Sequence, residues 1–562
     1  MTNILKNPSF SAANGYNGFD MSKYLKFSSS VGHILPVYYD ILQPGDKITA
    51  KSTLKTRTMV LDSAAMVQIE EHLDWFFVPM EQLYHFFNEF YYGVQDFRTD
   101  FVANASPLSQ YYPYFKYADL ISFLQNNSGN NSTYFSNISD NCEILRLLDL
   151  LGFPVEKIHS SLYHGSSPVN YSLIPVLLQA YQKIYFDYYR LDDRESNDPV
   201  AYNVDSYLGG VITPDNPYFT LRYIPWKKDF YTNNFISPIF TDEANASSLG
   251  IQTNQVNNWL GGIIGFTTNN DYGNVSTNLR PATSVAISNQ DMSSGTAMIN
   301  AANIRSMFAV DKLLEITRRA GKHYDKQTLA HFGVDVPTGI SGEVFALHSS
   351  QSEINIGDVI ATGNGSVGNA SSVLGQVGGK GFGLGVDNGF QFEAPSHGVL
   401  MCVYYGRPIV DYLPSGVDSL NIKVNSYDWF KPEFDNLGMQ PLFAAQTNFS
   451  EDSQNNSNTS IVGWQYRYNE YKNKPNTVNG ALAHDPNFQI WTTSKRPAGN
   501  NLVNYLVDPS FLNNIMSVNY APSYDESVDQ LYTIWQTDPL LHQIYFDVKK
   551  ASKMSTYGLP SL

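Results

Sequence analysis

The sequence predicts a mainly β fold, an antiparallel jelly roll interrupted by long loop insertions that contain helices. Two observations carry that expectation. Period-two alternation of apolar and polar residues appears near the start of the chain and returns near its end, so early and late strands must find one another across most of the sequence. Between them run excursions rich in Asn, Ser, Gly and Thr that are too long for ordinary connections in a compact domain.

The strands are legible one by one. Residues 1–30 form an extended, polar N-terminal arm, and the roll with its inserted loops occupies 31–562. From His33 to Met59 two strand segments flank a turn at Gln43, Pro44, Gly45 and Asp46, with Pro and Gly where turns favour them. In the second segment Ile48, Ala50, Ser52 and Leu54 face one way, and Lys47, Thr49, Lys51, Thr53, Lys55 and Arg57 the other. Met66 to Val78 alternates as a half-buried strand, Val67, Ile69, Leu73, Trp75 and Phe77 against Gln68, Glu70, His72 and Asp74, until Pro79 stops the ladder. The β pattern returns in Val399–Tyr405, Gln465–Tyr471 and Gln543–Val548.

Helical spacing marks Met80–Tyr92, Cys142–Leu151 and Leu173–Arg190 as connections. A longer helix is expected over Ala301–Ala320, with Ile304, Met307, Phe308 and Leu314 on one face, Arg318 and Arg319 in the last turn and Gly321 as its stop. Three segments read as surface excursions: Asn126–Asn141, Asp242–Ser294 and Asn364–Asn388. The second, 242–294, is long enough to form an external projection, and Trp259, Leu260, Ile263, Ile264 and Phe266 give it something to pack.

Composition points to association. Only 16% of the residues are charged, against roughly 25% in an average soluble domain, while 38 Tyr and 33 Phe bring the aromatics to 14%. Depleted charge with enriched aromatics is the signature of protein–protein interface centres; a large β protein with few charges is the plainer alternative. A formal net charge of −16 argues against free diffusion onto nucleic acid, so any DNA contact must be local. With Cys142 and Cys402 alone no disulfide framework is expected. The start MTNILKNPSF lacks a basic segment followed by an apolar core, and no run approaches 18 apolar residues. The expectation is cytoplasmic synthesis without membrane insertion.

A search for chemistry finds little. Gly363 to Gly368 spells GxGxxG, but no strand is evident before it and no helix after, so a dinucleotide site is not expected. Gly379-Lys380-Gly381 lacks the Ser or Thr of a phosphate loop. The histidine pairs His323/His331 and His159/His164 have the wrong spacing for a helical zinc site, and the acidic run at Asp192, Asp193, Glu195 and Asp198 is not a calcium loop. No cofactor, metal or catalytic residue is expected. DNA contact is the chemistry that remains. Cations on phosphates and aromatics under bases hold a single strand, and two places combine them: Lys47, Lys51, Lys55 and Arg57 on one strand face, and Lys549, Lys550 and Lys553 near Tyr545 and Tyr557. Lysines guarding an exposed strand edge are the equal alternative.

Several segments, in order, resemble one family. Gly32–Val37 (GHILPV), Leu42–Asp46 (LQPGD) and Trp75–Pro79 (WFFVP) come first; Arg222–Thr232 (RYIPWKKDFYT), Lys322–Tyr324 and His331–Val334 follow; Gly463–Lys472 (GWQYRYNEYK), Lys474-Pro475 and Met554–Pro560 (MSTYGLP) close the chain. They resemble the major capsid protein of gokushovirus-like microviruses, small single-stranded DNA bacteriophages. That resemblance implies an eight-stranded jelly roll of the viral capsid type, a T=1 icosahedral shell of sixty copies around a circular single-stranded DNA genome, and a place in the virion. It implies further partners: a minor DNA-pilot protein, a small basic internal protein and a host cell-surface receptor. The family carries a threefold protrusion between late strands of the roll. Segment 242–294 is the candidate, with Trp259, Leu260, Phe266 and Tyr272 as candidate attachment residues. The rival readings are a carbohydrate-binding surface protein, favoured by Tyr and Trp, and a β-rich hydrolase whose paired carboxylates no local context marks.

Overall fold

The computed structural model describes chiefly residues 15–92, 112–128, 138–155, 171–204, 216–236, 324–337, 342–360, 377–450, 457–497, 505–515 and 538–554, with short gaps and a few shorter pieces between them. Eight long strands organise it: β1 Lys23–Ser29, β2 Leu35–Leu42, β3 Lys47–Thr58, β4 Ile69–Pro79, β5 Phe345–Ile360, β6 Val377–Val386, β7 Gly398–Pro408 and β8 Leu540–Ser552. Their lateral order is β1-β8-β3-β6-β5-β4-β7-β2, every neighbour antiparallel. The sheet curls so that β1-β8-β3-β6 faces β5-β4-β7-β2, which is the jelly roll. Short strands extend it: Asn17–Asp20 continues β1 along β8, and Phe390–Glu393 continues β6 along β3.

The β2–β3 turn closes as the sequence predicts. Gly45 takes φ +84°, the Asp46 N–H donates to the Gln43 carbonyl at 3.0 Å, and the Gln43 N–H donates to the Asp46 carboxylate at 3.0 Å. β3 then alternates without a fault, even positions buried and odd ones open or half-open. The core lies between the half-sheets. Trp75 of β4, fully buried, meets Phe546 of β8 edge-on at 5.6 Å, Tyr38 of β2 at 5.2 Å and Phe390 at 5.3 Å. Each large apolar side chain so buried contributes roughly 1.5–3 kcal/mol.

Beside that aromatic layer the interior is polar. Thr56 donates to Glu71 at 2.5 Å, Tyr404 donates to the same carboxyl at 2.9 Å, and His542 lies 2.9 Å from Thr56 and 2.8 Å from Ser29. Five strands, β1, β3 and β8 of one half-sheet and β4 and β7 of the other, are thereby tied through buried groups.

β4 departs from expectation: it is buried on both faces, not one. Its outward side chains are covered by the helix Val176–Ile184 and the π-helical turn Tyr185–Tyr189 that follows it. Tyr189 donates to Asp74 at 2.6 Å and packs on Phe76, while Glu70 pairs with Lys227 at 2.6 Å. A polar outer row thus reflects buried partners here, because polar groups can be covered where each finds a hydrogen bond.

Other helices fall close to where spacing puts them, at Met80–Leu83 with Phe87–Tyr92 and at Ile138–Leu150. Of Ala301–Ala320 only some residues are described, and those are helical. The stretch Gln465–Tyr471 is corrected. Only Gln465 and Tyr466 are strand, in a separate two-stranded sheet with Met439–Phe443; Tyr468 then turns to φ +61° and Asn469–Lys472 is helical.

The largest correction concerns Asn364–Asn388. It is no excursion: Val377–Val386 is β6, paired on both sides and central to the sheet. A β carbon on Gly383 would come within 2.7 Å of the Glu71 carboxyl and one on Gly385 within 2.8 Å of Ser352, so the glycines admit the close approach of the opposing strand. A strand, β5, does precede the GxGxxG, and the motif itself holds the first strand of the hairpin Gly365–Val367/Ala370–Ser372 rather than opening a helix. Segment 242–294 falls in chain order between the fourth and fifth strands, not between late ones. Its residues, with Trp259, Leu260, Phe266 and Tyr272, lie outside the described part.

Candidate nucleic-acid interface

The outer face of β1-β8-β3-β6 gathers the cations. Because β3 is paired with β8 on one side and β6 on the other, its lysines guard no edge; they stand in the middle of an open sheet face. Cross-strand register sets the rows. Lys26 of β1 lies opposite Gln543, then Lys55, then Leu384; Leu541, Arg57 and Phe382 form the next row; Tyr24, Tyr545, Thr53 and Val386 form another. The Tyr24 and Tyr545 rings pack with centroids 4.5 Å apart and planes tilted by 32°.

Of the sequence-selected residues, Lys47, Lys51, Lys55 and Arg57 are all exposed on this face. Lys47 pairs with Glu393 at 3.4 Å, and Lys51 lies across from Asp547. Lys549 shares the face but is engaged by Asp20 at 2.7 Å and Asp547 at 3.4 Å. The hydrogen bond from Lys549 holds the Asp20 carboxyl well below the usual carboxylate range and raises the lysine in return. Lys553 is exposed beyond the strand end, 5.7 Å from the Tyr16 ring.

Lys550 does not belong with them. It points to the other side of β8, only 5% exposed, with Asp40 and Asp46 each 3.3 Å away. The period of two decides this: consecutive lysines on a strand cannot share a face. Two cations were missed. Lys26 follows from the alternation in KYLKFSS, which sets Tyr24, Lys26 and Ser28 on one side; Lys380 sits among glycines that read as loop.

The face therefore offers Lys26, Lys51, Lys55, Arg57 and Lys380 without an ion pair among the described residues, beside the Tyr24–Tyr545 pair and the exposed Phe382 ring. Unpaired cations of this kind attract polyanions, and exposed rings are the surfaces on which unstacked bases stack. No group of three or more His, Cys, Asp or Glu side chains converges among the described residues, and no described helix is long and apolar enough to cross a membrane.

An eight-stranded antiparallel roll with an open, cation-bearing sheet face defines a jelly-roll β protein. The chain belongs to the phage capsid protein family: the sequence profile described as "Capsid protein (F protein)" matches residues 152–562. It is 24% identical over 284 residues to capsid protein VP1 of Bdellovibrio phage phiMH2K, covering 48% of each chain. It is 22% identical over 269 residues to capsid protein VP1 of Chlamydia phage 1, covering 46% of this chain and 42% of that one. The chain thus matches about half the length of these curated relatives or less. These matches bear out the resemblance drawn from the ordered segments.

Proposed function

We propose that this chain is the major capsid protein of a small phage, that copies of it close into a sixty-subunit icosahedral shell, and that the shell encloses a circular single-stranded DNA genome. Membership of the capsid family over residues 152–562 carries the reading. Low charge and abundant aromatics supply the many weak contacts from which a closed shell gains stability. The work is structural, not enzymatic.

In this proposal the open face of β1-β8-β3-β6 lies against the genome, its local cations offsetting a negative chain. Purified protein should form uniform particles about 300 Å across by negative stain, a size that follows from packing sixty compact chains. Lys51→Glu, Lys55→Glu and Arg57→Glu together should leave particle yield unchanged and lower DNA content severalfold; unchanged genome content would remove the face from the reading. A DNA-pilot protein and a small basic internal protein are the further partners proposed.

Segment 242–294 is proposed as the projection that meets a host receptor, since loops on a rigid scaffold are where recognition usually sits. Its deletion should give intact particles that no longer adsorb to host cells. Adsorption that persists would move the receptor site elsewhere.

A further inference from the structure

A second cationic region lies away from the strand face. Where β7 leaves the sheet, the segments 224–235, 405–412, 462–466 and 495–497, with Tyr505, enclose a cleft of about 920 Å³ beside the end of the Tyr185–Tyr189 turn. This is the end of the roll at which β3 stops and β4 begins, because β4 and β7 pair there, Ile69 opposite Pro408. The cleft is distinct from the open face, since Tyr405 and Arg407 belong to the other half-sheet.

Its charge is inverted relative to the chain. Eight Lys and Arg side chains line it against two carboxylates, Asp187 and Asp192, whereas the whole chain has 36 cations and 52 acids. Some of the cations are committed: Arg190 to Asp192 at 2.6 Å, Arg407 to Glu70 at 3.4 Å. Lys228, Lys495 and Arg496 make no ion pair among the described residues. The buried Nε atoms of Arg190 and Arg407 also lack a hydrogen-bond partner. Like charges held together in one cleft repel, and an anion there relieves that cost. Burial lowers the Lys495 ammonium from its ordinary value, against the Asp508 carboxylate, which raises it.

The remaining walls are aromatic. Lys495 lies 4.8 Å from the Trp226 ring, Tyr231 and Tyr412 meet edge-on at 4.8 Å, and Tyr466 keeps 39% of its surface open. Rings beside unpaired cations suit a ligand carrying both a phosphate and a flat base.

We propose that this cleft binds a nucleotide unit, its phosphate against Lys228, Lys495 and Arg496 and its base against Tyr466. The inference deepens the nucleic-acid reading but occupies a separate site. The cleft lining shares no residue with the cations of the strand face, so either can fail alone.

The test is calorimetric titration of the full chain with thymidine 5′-monophosphate, inorganic phosphate, a ten-residue oligothymidylate and polyglutamate. The nucleotide should bind more tightly than phosphate, and about tenfold less tightly to Lys495→Glu/Arg496→Glu and to Tyr466→Ala. Tyr466→Ala removes a half-open ring and guards against misfolding of the charge-reversed chain. Tighter binding of the oligonucleotide would identify a strand as the natural source, and equal binding a free nucleotide. Phosphate binding as tightly as nucleotide, polyglutamate competing with equal affinity, or variants that bind normally would overturn the proposal.

Discussion

Asp538→Ala should destabilise the folded chain by about 3–5 kcal/mol, the loss expected when one partner of a buried ion pair is removed. Asp538 receives both terminal nitrogens of Arg146, each at 2.8 Å, and the two side chains are only 4% and 11% exposed. Arg146 also donates to the Ser28 carbonyl at 2.9 Å, and the Ser28 hydroxyl donates to Asp538 at 2.6 Å. One carboxylate therefore fastens the helix Ile138–Leu150 to the roll where β1 ends and β8 begins. Without it the guanidinium stays buried and uncompensated, which costs more than the pair's own attraction. Arg146→Met with Asp538→Leu should recover most of the loss, because apolar side chains of similar volume leave no orphan charge. Denaturant unfolding of the two variants beside the wild type checks both statements; a double variant no better than Asp538→Ala would show that the loss is packing alone.

The second large effect is pH dependence through Glu71. Burial pushes its carboxyl up to about 7, against hydrogen bonds from Thr56 and Tyr404 that lower it. A folded-state value above the unfolded one means that protons are held more tightly in the native chain. Stability is then complete below the ordinary carboxyl range near 4.5 and is lost as pH rises through about 7. The difference amounts to about 3 kcal/mol. His542 contributes with the opposite sign: burial lowers it to about 3, so below the ordinary imidazole range near 6.5 only the unfolded chain takes up its proton, and this partly offsets the Glu71 slope between about 4.5 and 6.5. Glu71→Gln should gain unfolding free energy relative to the wild type as pH rises from 5 to 8; a difference between the two chains that stays constant across that range would assign the slope to other groups. Glu71 stands in the same buried network as Ser29 and Tyr404, so the loss bears on how β1 and β7 are held across the roll.

Much of this molecule is local and could be read in one dimension. The alternation in Lys47–Thr58 set which side chains would be buried, and the turn at Pro44-Gly45 set where the strand began, because a pleated backbone sends successive side chains to opposite faces. Three other features required the third dimension. Glu70, His72 and Asp74 read as solvent-facing until a helix more than a hundred residues later covered them. The glycines of Val377–Val386 read as loop because what they accommodate, the side chains of β3, β4 and β5, is remote in sequence. The cleft among Lys228, Lys495, Arg496 and Tyr466 draws on segments more than two hundred residues apart.

The sequence by itself determined the class of fold, the sidedness of β3 and the family to which the chain belongs. Tertiary structure alone decided which cations share a face, why Lys550 is lost to Asp40 and Asp46, and where charge accumulates against the chain's negative sign. The physical reason is range: backbone geometry repeats every two residues, whereas burial and electrostatic environment depend on whatever the closed roll brings near.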